Sequence, residues 1–389
     1  MANLFDYLDW RGDLTVSQDP FHTIDSLILS TLSYIEFEKL NIEFDENASI
    51  FFREAGEQFV TMHADEKLSA GRLIPDSIFD LLDVVSRCPR FRDMRISNYV
   101  NQIDELEEKQ FSAMTVEIGD GTFYIAFRGT DDTIIGWKED FNMSFKAPVP
   151  SQLQAVEYVK KTALLHRRGK IRMGGHSKGG NLAVYAAAFS PERIRKRILQ
   201  VHNFDGPGFT KEILEQAGHK AIADVVQTIV PQSSVIGMLL EHEEQYDVVV
   251  SRQIGIFQHD MFSWQLFGRD FIYVDDISAS SYRVDRTLRD FILAMDKEEK
   301  EKFVEAFFDI LMQSGAKTLS ELKLKDIVLI LKKTNREDGD HKKILMQAFR
   351  LLLATAEDTA QQQRIADMEK RLEKKKKIPP KNSCNMEED

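Results

Sequence analysis

Ser177 stands in Gly175-His176-Ser177-Lys178-Gly179, a G-x-S-x-G pattern within a glycine-rich stretch that runs from Gly174 to Gly180. The pattern has a mechanical reason. A serine held on a sharp strand-to-helix turn leaves no room for side chains two residues away on either side, so Gly175 and Gly179 are required. The chemistry that such a serine serves is acyl transfer, and it needs three further parts. A neutral imidazole must take the hydroxyl proton, a third group must orient that imidazole, and donors must meet the oxygen that becomes negative. No metal or cofactor is called for. The backbone N–H of Lys178, first in the following helix, is the expected first oxyanion donor, helped by the helix dipole. Thr130 closes Ala126-Phe127-Arg128-Gly129-Thr130 and offers its backbone N–H and hydroxyl as the second.

Of the nine histidines, His202, His219, His242, His259 and His341 follow Ser177. His202 lies inside a strand, His219 and His242 in charged helical surroundings that read as solvated, and His341 in the helical C-terminal region. His259, in Gly255-Ile256-Phe257-Gln258-His259-Asp260-Met261-Phe262, follows a strand and stands beside aromatics, so it is the candidate base. His176 is suited to orienting backbone. The acid is less determined. Asp205, just past the strand at 198–204, is the first choice, although Asp205-Gly206-Pro207-Gly208 also reads as a plain turn. Asp224 precedes its strand, at the opposite end of the sheet, and Asp260 adjoins the base, where neighbouring side chains diverge. Both stay open as alternatives, as does a dyad of Ser177 and His259.

The elements that must position these residues follow from periodicity. Thr23 is a candidate cap for a helix over 23–35, with further helices at 50–63 and 78–86. Residues 111–118 and 122–130 read as two strands joined by Gly119-Asp120-Gly121. Then come a helix at 151–165, the strand at 170–173, and a helix at 181–189 whose Ala183, Ala186, Ala187 and Ala188 allow close packing. Strands at 198–204, 225–230, 248–251 and 271–274 alternate with a helix near 211–216. The pattern is that of an α/β fold, a mainly parallel sheet with an antiparallel hairpin at its start and helices on both faces. Residues 1–290 form the expected catalytic domain, 291–372 a helical extension and 373–389 a disordered polar tail.

The chain has 389 residues, 43% hydrophobic and 29% charged, with formal net charge -12. That balance argues against nucleic acid and anionic membrane surfaces as partners. No stretch has the length and apolarity of a signal peptide or a membrane span. With Cys88 and Cys384 the only cysteines, a reducing, cytoplasmic setting is expected.

Phe127-Arg128-Gly129-Thr130, Gly136-Trp137-Lys138-Glu139-Asp140-Phe141 and Gly175-His176-Ser177-Lys178-Gly179-Gly180, in this order, resemble the class 3 (fungal-type) lipases. Those carry F-R-G-[ST], N-W-x-x-D-[LF] and G-H-S-x-G-G. Over 1–290 the chain more closely resembles a bacterial lipase-like family known as a domain of unknown function. The resemblance implies an α/β-hydrolase fold, Thr130 as an oxyanion donor and His259 as the base. It departs in three places: Lys178 replaces an apolar residue or glutamine, Thr228 stands where the acid precedes V-P, and 145–152 is too short for a helical lid. Two readings result. The first is a serine hydrolase acting on a small acyl ester, thioester or lipid-like substrate, with 236–240 and 261–267 as acyl-pocket material. The second is a degenerate hydrolase serving as a binding module, with self-association through the C-terminal helices.

Overall fold

Alternation of side chains along each strand builds the molecule around one sheet. In strand order this sheet contains β1 (Ser49–Phe51), β2 (Arg95–Asp104), β3 (Lys109–Glu117), β4 (Thr122–Phe127), β5 (Lys170–His176), β6 (Ile198–Phe204), β7 (Val226–Pro231) and β8 (Tyr246–Val249). A small separate hairpin of β9 (Leu266–Phe267) and β10 (Asp270–Phe271) precedes β11 (Tyr273–Val274), which closes the edge antiparallel to β8. Strands β1 to β4 pair antiparallel and β4 to β8 parallel, giving the α/β-hydrolase architecture. The computed structural model describes residues 2–321 apart from 41, 43, 45–47, 65–67, 69–73, 144, 233, 235–245, 254, 276–296, 319 and 320, all within the compact unit Met1–Leu331.

Strand β4 shows how the two cores arise. Phe123, Ile125 and Phe127 face one core, while Tyr124 and Ala126 face the other, as a period of two demands. The first core is covered by helices α1 (Leu4–Arg11), α2 (Thr23–Leu32), α3 (Phe52–Met62) and α4 (Ser77–Arg87). On the other face lie α6 (Pro150–Leu165) and α7 (Lys178–Phe189), reached after α5 (Ile134–Asn142). Ala183, Ala186, Ala187 and Ala188 are buried, and their small side chains let α7 lie close on β5 and β6.

Several expectations shift. The opening is longer than a hairpin, because β2 joins it. Its sequence, Arg-Ile-Ser-Asn-Tyr-Val-Asn-Gln-Ile-Asp, is polar, and its register shifts between Ser97 and Val100, where Asn98 has φ +54°. A bulge of that kind interrupts the alternation by which strands are read. His22, rather than Thr23, is the cap of α2, its N–H donating to Asp25 at 2.7 Å. The helix expected at 50–63 begins as β1 and becomes α3 only at Phe52. The helix Lys297–Gln313 packs on the sheet domain: Phe307 and Phe308 lie 6.3 and 5.7 Å from Phe141 of α5. Among the described residues no helix is long and apolar enough to cross a membrane. Residues 322–389, with the expected tail and most of the expected extension, lie outside the described residues.

Beneath the N-terminal helices, Arg90 and Asp25 are fully buried and joined by two hydrogen bonds of 2.6 and 2.5 Å. Arg90 also donates to the carbonyls of Leu14, Asp19 and Pro20, tying down the loop between α1 and α2. Removing one partner of such a pair leaves an uncompensated buried charge, which costs about 3–5 kcal/mol. Asp25→Ala should therefore lower the unfolding free energy by about that amount in urea titration, and a loss under about 1 kcal/mol would contradict this role for the pair.

Candidate active site

Strand β5 ends at His176 and α7 begins at Lys178, which leaves Ser177 as the joint between them. Its φ of +58° and ψ of −135° lie where residues other than glycine rarely go. Two backbone bonds hold it there: Ser177 N–H to the Phe204 carbonyl, and Gly180 N–H to the Ser177 carbonyl, both 2.9 Å. A Cβ at position 175 would collide with the Gly179 backbone, and one at 179 with the Phe127 carbonyl. The two glycines are thus required by the approach of β4, β5 and α7 to one another.

Past the end of β6, Asp205 takes φ +52°, with its N–H bound to the Ile229 carbonyl at 2.8 Å. Its Oδ2 meets Nδ1 of His259 at 2.6 Å. Its Oδ1 accepts from the Ser234 hydroxyl. A carboxylate only accepts, so Nδ1 carries the ring proton and Nε2 keeps its lone pair. Among the described residues the Ser177 hydroxyl makes no hydrogen bond to His259. Such contacts are often long until a substrate is bound.

His176 ties His259 to the elbow. Its Nε2 donates to the His259 carbonyl at 2.8 Å, its Nδ1 lies 3.1 Å from the Tyr34 hydroxyl, and the two imidazole rings are 4.2 Å apart. Burial first, and then the neighbouring His259, push the His176 pKa well below the ordinary histidine range. It therefore stays neutral and keeps the tautomer that binds the carbonyl.

The alternative acids are engaged elsewhere. Asp260 accepts from the Phe262 N–H at 2.9 Å and from Gln253 Nε2 at 2.7 Å, and its burial raises its pKa to about 6. Asp224 sits in the turn before β7, away from the end that carries Pro231. Thr228 is buried within β7, with Asn203 Nδ2 at 3.5 Å from its hydroxyl. Asn203 Oδ1 also receives the Gly206 N–H at 3.0 Å, so the segment after Asp205 is a turn held by a side chain of β6. His202 is buried in β6, and burial brings its pKa to about 4. His219, expected to be solvated, is buried against Phe209. His242, His341 and residues 236–240 lie outside the described residues. Met261, Trp264 and Leu266 belong to the first core, and Phe267 is open to solvent.

On the oxyanion side the Thr130 hydroxyl donates to Asp140 Oδ2. Among the described residues the Thr130 N–H has no acceptor. The first N–H groups of α7, Lys178 included, have none within their helix. The Lys178 side chain turns inward and is buried. Its ammonium donates to the Gln110 carbonyl at 2.9 Å, to Gln110 Oε1 at 2.6 Å and to Glu139 Oε2 at 3.1 Å. Glu139, also buried, receives the N–H groups of Gln110 at 3.0 Å and Ser151 at 2.9 Å. Glu139, Gln110, Tyr34 and Ser234 were not legible as site residues. Only Glu139 left a signal, since a charged residue after the serine needs a counter-charge from Trp137-Lys138-Glu139-Asp140.

A family model described as Mbeg1-like matches residues 85–309. Among solved structures, M37 lipase is similar at 16% identity over 55% of this chain and 68% of its own, with a TM-score of 0.33. Lipase II from Rhizopus niveus is 16% identical over 48% of this chain and 76% of its own, TM-score 0.31. The propeptide complex of the Rhizomucor miehei lipase is 13% identical over 64% and 80%, TM-score 0.34. No curated protein matches the chain in sequence.

If Asp205 sets the His259 tautomer, Asp205→Asn keeps the shape and favours the wrong ring nitrogen. Esterase kcat should then fall by up to ~10⁴, whereas Asp260→Asn should cost less than about tenfold. An Asp205→Asn protein that keeps more than about a tenth of the wild-type kcat would exclude this role.

Proposed function

This chain belongs to the Mbeg1-like family, and from that premise we propose that it is a serine hydrolase of carboxylic esters or thioesters, working through an acyl-serine intermediate. The observation that carries the proposal is the 2.6 Å bond between Asp205 and His259 beside a serine on a strained elbow. In the proposed reaction His259 Nε2 takes the Ser177 proton as Oγ attacks the acyl carbon. The carbonyl oxygen becomes negative against the N–H groups of Lys178 and Thr130. Asp205 stabilises the imidazolium, which then hands its proton to the departing alcohol or thiol. Water, deprotonated by the same Nε2, attacks the acyl-serine, and the proton returns to Ser177. Every bond in the cycle is made or broken by protein groups and water.

The second reading is a degenerate hydrolase that binds without turnover. It draws on the Ser177 hydroxyl having no hydrogen bond to His259 among the described residues, and on the Thr130 hydroxyl being held by Asp140. Covalent labelling separates the two. An alkyl fluorophosphonate should add to the folded protein once, at Ser177, with Ser177→Ala unlabelled in intact-mass analysis. Label elsewhere, or none on folded protein, would leave the binding module as the account.

A further inference from the structure

Residues 160–197 hold eleven lysines and arginines and a single acid, Glu192, in a chain whose formal net charge is -12. The fold gathers that excess at one end of the sheet. Segment 163–170 runs from the last turn of α6 into the start of β5, and 193–197 leads into β6. Arg197 fastens the two together. Its guanidinium donates to the carbonyls of Ala163 at 3.0 Å, Gly169 at 2.7 Å and His166, and its own carbonyl accepts the Ile171 N–H at 2.9 Å. Strand β5 starts here and ends beside Ser177, so this end of the sheet lies about 20 Å from the serine.

Four of the eleven cations work inside the fold. Arg172 meets Asp120 at 3.1 Å, Lys178 meets Glu139, Arg195 donates to the Ala188 and Ser190 carbonyls, and Arg197 acts as above. Lys160 and Lys196 each lie 2.7 Å from a glutamate one turn earlier, Glu157 and Glu192, and Lys161 sits over the Phe44 ring. Arg167, Arg168, Lys170 and Arg193 remain. They are exposed, and among the described residues none has a carboxylate partner. Glu117 and Asp120, around the turn from β3 to β4 at this end, face His166 at 3.6 Å and Arg172. Asp224 and Asp247, before β7 and in β8, bound the patch on its other side.

Like charges held on one face repel one another, and an anionic surface relieves that repulsion. The whole-chain balance, which argues against anionic membranes, does not govern such a contact. Screening confines the reach of each charge to about 8 Å at physiological ionic strength, so the local excess decides. What selects a bilayer among anionic partners is apolar. Leu164 and Leu165, in the last turn of α6 beside Arg167 and Arg168, are 55% and 37% exposed. A nucleic-acid backbone offers them no apolar contact. The boundary between lipid headgroups and acyl chains takes leucines and cations together.

We propose that this end of the sheet docks on an anionic lipid bilayer. Arg167, Arg168, Lys170 and Arg193 meet the headgroup phosphates, and Leu164 and Leu165 enter the layer beneath them. Ser177, at the opposite end of the same strand, then faces the aqueous side. None of the six residues belongs to the candidate active site, so docking stands or falls apart from hydrolysis.

The test is flotation of the full chain with vesicles of phosphatidylcholine alone, or with about a third of phosphatidylglycerol, at ~0.15 M salt. The protein should float with the anionic vesicles and not with the neutral ones. It should leave them at about 1 M salt, where the screening length falls to about 3 Å. Arg167→Gln, Arg168→Gln, Lys170→Gln and Arg193→Gln combined should weaken partitioning by about 10²-fold or more, since each cation near such a surface contributes roughly fivefold. Leu164→Ser with Leu165→Ser, all charges kept, should weaken it about tenfold or more. Folded wild type that does not float with anionic vesicles would overturn the proposal, as would a quadruple variant that floats like wild type. A leucine variant that floats undiminished would mark a surface for polyanions in general and overturn the bilayer as its occupant. Tighter binding to a short DNA duplex than to the vesicles would do the same. If the quadruple variant fails to fold, the salt series and the leucine variant decide.

Discussion

Where β4 ends, the Phe127 carbonyl approaches α7 so closely that only hydrogen fits as the side chain of residue 179. That contact sets the distance between the strand that leads to Thr130 and the helix that starts at Lys178. It also holds Ser177 at positive φ, a conformation that costs on the order of 1–3 kcal/mol and persists because its surroundings overdetermine it. The parallel pairing of β4, β5 and β6 holds those surroundings in register, and the Phe204 carbonyl at the end of β6 takes the serine N–H. Asp205 follows in the next residue. One close approach thus determines where Ser177, Asp205 and the N–H groups of Thr130 and Lys178 stand.

The same crowding explains how a lysine is tolerated beside Ser177. A buried ammonium alone would be strongly unfavourable, and the favourable arrangement needs a paired carboxylate with its own lone pairs satisfied. Glu139 meets that condition through Lys178, Gln110 and Ser151. Because Glu139 and Asp140 are successive residues of α5, placing the counter-charge for Lys178 also places the carboxylate for Thr130. Helix Lys297–Gln313 packs through Phe307 and Phe308 on Phe141 of the same element.

Ser177 was legible because the elbow is a steric requirement written in adjacent residues. His259 was legible by elimination, and the strands 198–204 and 225–230 by their apolar runs. Asp205 was legible only as one of two things, a turn residue or an acid. The structure is compatible with both, since Asn203 builds the turn while the carboxylate faces His259. What stayed hidden depends on long-range packing. Tyr34 meets His176 across 142 positions, and Ser234 meets Asp205 across 29. No local pattern marks either. The bulge at Asn98 concealed β2 for a different reason, since it breaks the alternation on which strand reading relies.

At the centre of the proposed account is one proton on one ring nitrogen: the contact with Asp205 puts the His259 ring proton on Nδ1 and leaves Nε2 without it. Nuclear magnetic resonance of protein labelled with ¹⁵N at the histidine ring nitrogens reads this directly. At about pH 8 the account expects His259 as the Nδ1–H tautomer, with a strongly downfield, slowly exchanging proton that the Asp205→Asn change abolishes. A His259 with its proton on Nε2, or one whose ring proton is indifferent to residue 205, would contradict it.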